Sequence, residues 1–371
     1  MHDAPSTPRS PLLSGAEIRA RILPHGRVPI PGLPALRERE RARDHTERAK
    51  ILYARLREAT GDPALAHECE RERAALARVL RNGAWMEQDH IEHVRAEYPA
   101  LIADLCARVE HAERDRPVDV PGGIRANTDR RIDDLTPDTP PSRAPGERPQ
   151  LFLIGGQTAA GKTTAQEHIL WSMPDGSVAS YDGDDNVEVH PRMADLMRGH
   201  GKAGHVRVGE EVHDAGCDVH GELLAHLRGE YGGHQYDVLA SHPLGRQRWA
   251  RAWFEDFARE GYETTVLFVA THASNSRTDL VHRYRRGVDD PVIGYGRWVD
   301  PDLHEEFYSN GPDIADALER EGVVDHALVL SRSGEVLHEN HRTPAGGWER
   351  SSGARAAVLA ERARTKRPDA W

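Results

Sequence analysis

Leu151-Phe-Leu-Ile-Gly-Gly-Gln-Thr-Ala-Ala-Gly-Lys-Thr-Thr164 is the stretch whose reading decides the fold. Its apolar start predicts a short buried strand, its glycine-bounded middle a loop, and its end a helix opening on Lys162 and Thr163. Gly156, Gly161, Lys162 and Thr163 fill the template G-x-x-x-x-G-K-[ST] without a gap. In such a turn the backbone N–H groups of Gly156, Gln157, Thr158, Ala159, Ala160, Gly161, Lys162, Thr163 and Thr164 converge and favour a phosphate. Glycine is required because a side chain would hold the backbone away from the phosphate oxygens. Lys162 then reaches the outer phosphates, and the Thr163 hydroxyl is placed to ligate the Mg²⁺ that travels with a nucleotide. Lysine is scarce in this chain (Lys50, Lys162, Lys202 and Lys366), so a chance match carries little weight against a nucleoside triphosphate site.

Outward from that loop, apolar runs at 178–181, 237–240 and 263–270 predict strands. Residues 324–340 predict a strand, a Ser333-Gly334 turn and a second strand. Helices are expected at about 162–172, 246–259 and 353–364. The alternation implies an α/β fold, a P-loop NTPase-type parallel sheet flanked by helices, over 149–342, with a polar tail at 343–371. A small all-α domain is expected before it, within residues 1–115, starting with a loosely ordered Pro-, Ser- and Gly-rich arm at 1–33. Leu65, Cys69, Leu76 and Leu80 share one helical face, as do Tyr98, Leu101, Ile102, Leu105 and Val109. Pro99 predicts a break into two helices, with the proline in the first turn of the second. The run Arg37-Glu-Arg-Glu-Arg41 reads as a solvated face. The proline-dense segment 116–148 reads as a linker or a wrapped extension.

A net charge of −11 without a basic stripe argues against a broad nucleic-acid footprint, while leaving room for anionic small substrates. Cys69, Cys106 and Cys217 have neither a pairing pattern nor zinc spacing, which fits a reducing cytoplasm. No apolar run approaches the ~20 residues of a membrane span, so no membrane partner is expected. The pairs His90/His93 and His338/His341 have no further ligand at a recognised spacing, so neither is read as a metal site.

Three features bear on chemistry. Asp182, Asp184 and Asp185 follow the second strand, at the sheet end where ligands of doubly wound folds sit. A carboxylate there suits removal of a proton from an acceptor hydroxyl, with an Asx-type turn as the bland alternative. Arg283 and Arg286 share a face of the helix that also carries Arg277 and Arg285. Arg297 lies in a segment with Gly294 and Gly296 that reads as a lid. Guanidiniums at either place would bind phosphate oxygens; taken alone they read more readily as surface charges.

These segments, in this order, resemble the zeta toxin family of bacterial ATP-dependent kinases over about 150–339. The resemblance rests on the 156–163 loop, Asp182-Gly-Asp184 followed by His190-Pro191, and Gly261-Tyr-Glu-Thr with its strand. It continues in Arg283-Tyr284, Arg297, His304, Asn310-Gly-Pro and Val323-Val-Asp-His. It implies phosphorylation of the 3′-hydroxyl of UDP-N-acetylglucosamine or a related UDP-amino sugar. Asp184 would be the base, Lys162, Arg283 and Arg297 the phosphate and transition-state contacts, and Thr163 the Mg²⁺ ligand. Asp182, Asp184, His190 and Arg283 would face the substrate. Ala240-Ser241-His242 stands where the family usually has Glu-Gly-Thr, and Arg285 where it commonly has Glu. A kinase acting on another hydroxylated metabolite or antibiotic, and a non-catalytic nucleotide-sensing regulator, remain the alternative readings. Zeta toxins are restrained by a small helical antitoxin, and the N-terminal helical unit reads as a cis-acting counterpart or, equally, as a scaffold.

Overall fold

The computed structural model describes residues 12–23, 33–114, 119–171, 173 and 178–366. Within the arm expected at 1–33, residues 15–22 are helical. Helix α1 (Gly15–Ile22) starts at a capping box, in which the Glu17 carboxylate accepts from Ser14 N at 2.8 Å and Ser14 Oγ accepts from Glu17 N at 3.3 Å. Its Ile18 and Ile22 are buried with Phe152 and Ile154 of the sheet. The other residues of that arm lie outside the described residues.

Helices α2 (Leu33–Ala59), α3 (Pro63–Arg81) and α4 (Gln88–Glu113) share a core of Leu52, Leu56, Cys69, Tyr98, Ile102 and Leu105. The break expected at Pro99 does not occur, because α4 runs through it. Pro99 is exposed, so its ring and missing N–H fall on the solvent side. Buried Ile91, Val94 and Tyr98 before it, and Ile102, Leu105 and Val109 after it, keep both halves in register. The segment expected to be linker or wrapped extension contains a sixteen-residue helix, α5 (Val120–Leu135), begun by an Asp119 cap and Pro121 in the first turn. Arg131 of α5 donates to Asp182 O at 3.2 Å and to Asn186 Oδ1 at 3.1 Å, fastening the helix to the end of the second strand.

The sheet contains β1 (Gln150–Gly155), β2 (Val178–Asp182), β3 (Asp237–Ser241), β4 (Glu263–Ala270), β5 (His326–Ser331) and β6 (Val336–His341), in the order β2-β3-β1-β4-β5-β6. The first five are parallel, and β6 returns antiparallel to β5. All of β1 and β4 is buried, as expected of parallel strands covered on both faces. Alternation along β1 sends Leu151 and Leu153 into one core with Trp253, Phe254 and Phe257, and Phe152 and Ile154 into the other with Ala165 and Ile169. The helices of this part are α6 (Lys162–Trp171), α7 (Met193–His200), α8 (Gly204–Asp214), α9 (Val219–Leu227), α10 (Gln247–Arg259), α11 (Ala273–Asp289), α12 (Pro301–Arg320) and α13 (Ala354–Arg364), of which α7 and α8 pack with α5 on the turn after β2. Strand β1 is central, so its carboxyl end opens between β3 and β4 with α6 leading away.

Pro99→Ala restores the donor of an exposed helical turn, and the unfolded chain regains some freedom. The variant is expected to be more stable by about 1–2 kcal/mol, read as a higher urea midpoint at unchanged slope. Equal or lower stability would mean that the helix has already adapted to the ring.

Candidate active site

The β1–α6 connection has the backbone its sequence requires. Gly156 has φ +136°, and a Cβ there would sit 2.8 Å from Val269 O; Gly161 has φ +104°. Ala159 also lies at positive φ, +60°, an uncommon conformation for a residue with a side chain and one that collects at functional sites. Gln157 is fully buried and its Nε2 donates to Thr271 O at 2.9 Å, pinning the loop to the end of β4. The Lys162 ammonium folds back on the loop, donating to Gln157 O at 3.2 Å. Burial pushes its pKa down in spite of nearby Asp184 and Asp182, as for a cation awaiting more negative charge than the protein supplies.

Beyond β2, Asp182 is the turn residue: Oδ1 accepts from Asp184 N at 3.0 Å, and Oδ2 accepts from Ser241 Oγ at 2.9 Å and Thr163 Oγ1 at 3.3 Å. The Asx-type turn therefore belongs to Asp182. Thr163 and Asp182 set a hydroxyl and a carboxylate side by side at the loop, a hard-oxygen pair of the kind Mg²⁺ takes. Burial would raise the Asp184 carboxyl, but His205, Arg297, Arg283 and Lys162 outweigh it and hold Asp184 below the usual carboxylate range. The four residues predicted to be catalytic thus fall within one electrostatic cluster.

Arg283 and Arg286 line the same cavity as Asp184, as their spacing on α11 predicts. Arg283 Nε is buried without a hydrogen-bond partner among the described residues, and burial lowers its pKa despite Asp184. An anion would satisfy both. Arg297 donates from Nη1 to Asp185 Oδ1 at 2.6 Å and lies near Glu188, at 3.4 Å. His190 is buried elsewhere, Nε2 within 2.9 Å of Glu211 Oε2 and Nδ1 accepting from Arg192 N at 3.1 Å, and does not line this cavity.

The cavity has a wall that sequence patterns do not reveal. Glu40, Arg43, Asp44, Glu47 and Arg48 of α2 close it opposite α6 and α11. Arg43 pairs with Asp185 at 2.7 Å and with Glu167 of α6 at 3.5 Å, Glu40 pairs with Arg286, and Arg41 lies 3.3 Å from buried Asp290. The charge run at 37–41, expected to be a solvated face, is therefore partly an interface. Its alternating signs are the same either way, and only the folded partner distinguishes the two. About 140 Å³ of cavity remains between α2 and the site, against the ~300–1,000 Å³ typical of ligand pockets.

Sequence reasoning missed Arg43, Glu167, Glu188 and Ser241. Only Ser241 carried a signal, as the residue standing in the family's Glu-Gly-Thr position. His242, beside it, accepts from Leu244 N at 3.0 Å, and burial, with His220 and Lys162 nearby, pushes its pKa down to about 3, leaving a neutral ring.

The Zeta toxin family model matches residues 132–343, more than half of the chain. A 206-residue alignment is 26% identical to toxin zeta of Streptococcus pyogenes, covering 53% of this chain and 66% of that protein. Toxin zeta of Enterococcus hirae aligns at the same identity and coverage. The chain thus spans just under two thirds of the length of these curated relatives. A solved structure from the PezAT chromosomal toxin–antitoxin system of Streptococcus pneumoniae aligns at 17% identity with a TM-score of 0.48, covering 66% of this chain and 88% of that one.

Glu167 supplies a pH test of the α2 contact. Burial raises its carboxyl from 4.5 to about 8 even beside Arg43, so the folded chain holds a proton there that the unfolded chain releases. Its contribution to stability falls as pH rises from 4.5 to about 8 and is flat above. Glu167→Gln is expected to gain stability relative to the wild type across that window in denaturation curves. A difference independent of pH would show that Glu167 titrates normally.

Proposed function

This chain belongs to the zeta toxin family, and from that premise we propose that it is an ATP- and Mg²⁺-dependent kinase of a hydroxylated small molecule. The favoured acceptor is a sugar hydroxyl of a UDP-amino sugar such as UDP-N-acetylglucosamine. The observation that carries the reading is the convergence of Lys162, Arg283 and Arg297 on the Asp184 carboxyl beside the phosphate loop. In it the amides of 156–164 and Lys162 hold the ATP phosphates. Asp184, kept ionised by its cationic neighbours, takes the proton of the acceptor hydroxyl as the phosphoryl group arrives. Arg283, with its unpartnered Nε, and Arg297 offset the charge on the transferred group. Mg²⁺ would be held by Thr163 with Asp182 beside it and would neutralise phosphate charge.

The same reading includes restraint in cis. Helix α2 stands on the acceptor side of the cleft, and the space it leaves is too small for a nucleotide sugar. The N-terminal helical unit then acts in the place of a separate antitoxin. A second reading, a kinase of another hydroxylated metabolite, is favoured by one observation. Ala240 stands where the family usually presents an acid, and the neutral His242 ring, packed against Trp249 and Trp253, closes the same segment.

Incubation with ATP and a panel of nucleotide sugars, followed by mass analysis, tests the acceptor. Asp184→Asn is expected to lower turnover at least ~10²-fold with ATP affinity retained. Turnover unchanged by that substitution removes Asp184 as the base, and absence of turnover in every variant leaves a nucleotide-sensing regulator. Arg43→Glu places like charge against Asp185 and is expected to raise turnover at least about tenfold by releasing α2. An unchanged rate in an active enzyme would refute the cis restraint while sparing the kinase.

A further inference from the structure

Away from the cleft, Arg362 is a buried positive charge with no ion-pair contact among the described residues, its nearest carboxylate influence being Glu305, which is engaged with Arg277. It sits on α13, beyond the span matched by the family model, and is 5% exposed. Among the described residues no carboxylate is paired with it. The neighbouring cations on the same helix are paired, Arg364 with Glu361 at 2.7 Å and Arg355 with Asp313 at 2.6 Å. Arg362 has weaker company. Nη2 reaches Gln157 Oε1 at 3.5 Å, the guanidinium lies 3.9 Å over the Tyr308 ring centre, and Nε has no partner. A desolvated guanidinium in that state is unfavourable unless an anion completes it. Burial accordingly pushes its pKa down to about 10.

Beside Arg362, a cavity of about 440 Å³ opens between α12 and α13. Tyr308, Pro312 and Leu359 give it an aromatic and aliphatic wall, the Arg355–Asp313 pair lines it without net charge, and exposed Lys366 adds positive charge to that of Arg362. The volume lies within the range of small-molecule sites. A positively charged end that lacks its anion, next to a flat apolar wall, is the recognition chemistry of an organic acid. We propose that this cavity binds a small organic anion, its carboxylate or phosphate received by Arg362 and its apolar body by Tyr308, Pro312 and Leu359.

The site is joined to the phosphate loop through one residue. Gln157 meets Arg362 with Oε1, holds Thr271 O with Nε2, and accepts the Lys162 ammonium on its carbonyl. An anion that draws the guanidinium toward itself weakens the contact with Gln157. Nucleotide and anion affinities are then coupled, and the coupling is reciprocal.

Benzoate and inorganic phosphate are suitable probes, titrated by calorimetry into the full chain carrying Lys162→Ala, which silences the phosphate loop. Saturable binding of at least one probe is expected, weakened at least about tenfold by Arg362→Lys, which keeps the charge but loses the fork, and abolished by Arg362→Met. The bound probe should also raise the melting temperature of the parent and leave that of the R362M variant unchanged. Should R362M not fold, the R362K comparison decides. Equal binding with Arg362 and its replacement, or no binding of either probe to the parent, would overturn the proposal.

Discussion

Asp185 lies between two guanidiniums, Arg43 from the N-terminal helical unit and Arg297 from the segment after α11. Burial alone would raise its carboxyl, but Arg43, Arg297 and Arg131 hold it well below the usual range. None of these three elements can withdraw without leaving a charge desolvated, and breaking a buried pair from one side is far costlier than never having formed it. That single carboxylate therefore fixes α2 over the cleft, fixes the segment carrying Arg297, and ties both to the end of β2. Among the described residues Asp184, one residue away, has no direct ion pair.

The parts of this molecule legible in sequence are those set by local rules. The phosphate loop depends on two glycines at positive φ and a lysine at a fixed offset, and it folds as the template requires. The strands follow from apolar runs whose neighbours on both faces are helices. Helices α1 and α5 were overlooked for a compositional reason: both lie in stretches rich in Pro, Gly or Ser, which mask short starting signals. Ser14 with Glu17, and Asp119 with Pro121, are those signals, and both operate in the structure. Pro99 misled in the opposite direction, since a ring on the exposed face of a helix packed on both sides of it does not force a break.

The site was half legible. Lys162, Asp184, Arg283 and Arg297 share one electrostatic cluster, whereas His190 is engaged with Glu211 and the backbone of Arg192 away from it. What sequence withholds is the pairing of charges across elements. A Glu–Arg run has the same composition in water and against another surface, so α2 gave no sign that Glu40 and Arg43 face the cleft. The change at Ser241 was visible, but its meaning was not. Its hydroxyl supports Asp182, while the neutral ring of His242 takes the neighbouring place.

Helix α1 buries Ile18 and Ile22 in the sheet core, and Leu13 N just before it donates to Glu263 Oε1 at 2.7 Å. Helix α5 is fastened to β2 through Arg131. The three helices between them are thus stitched to the sheet at both ends, like a handle rather than a cap. Were α2 to leave the cleft as proposed, with these two anchors kept, the helices would remain tethered to the sheet. Reseating would then be a first-order event, set by the chain's own geometry and independent of how many copies of the protein surround it.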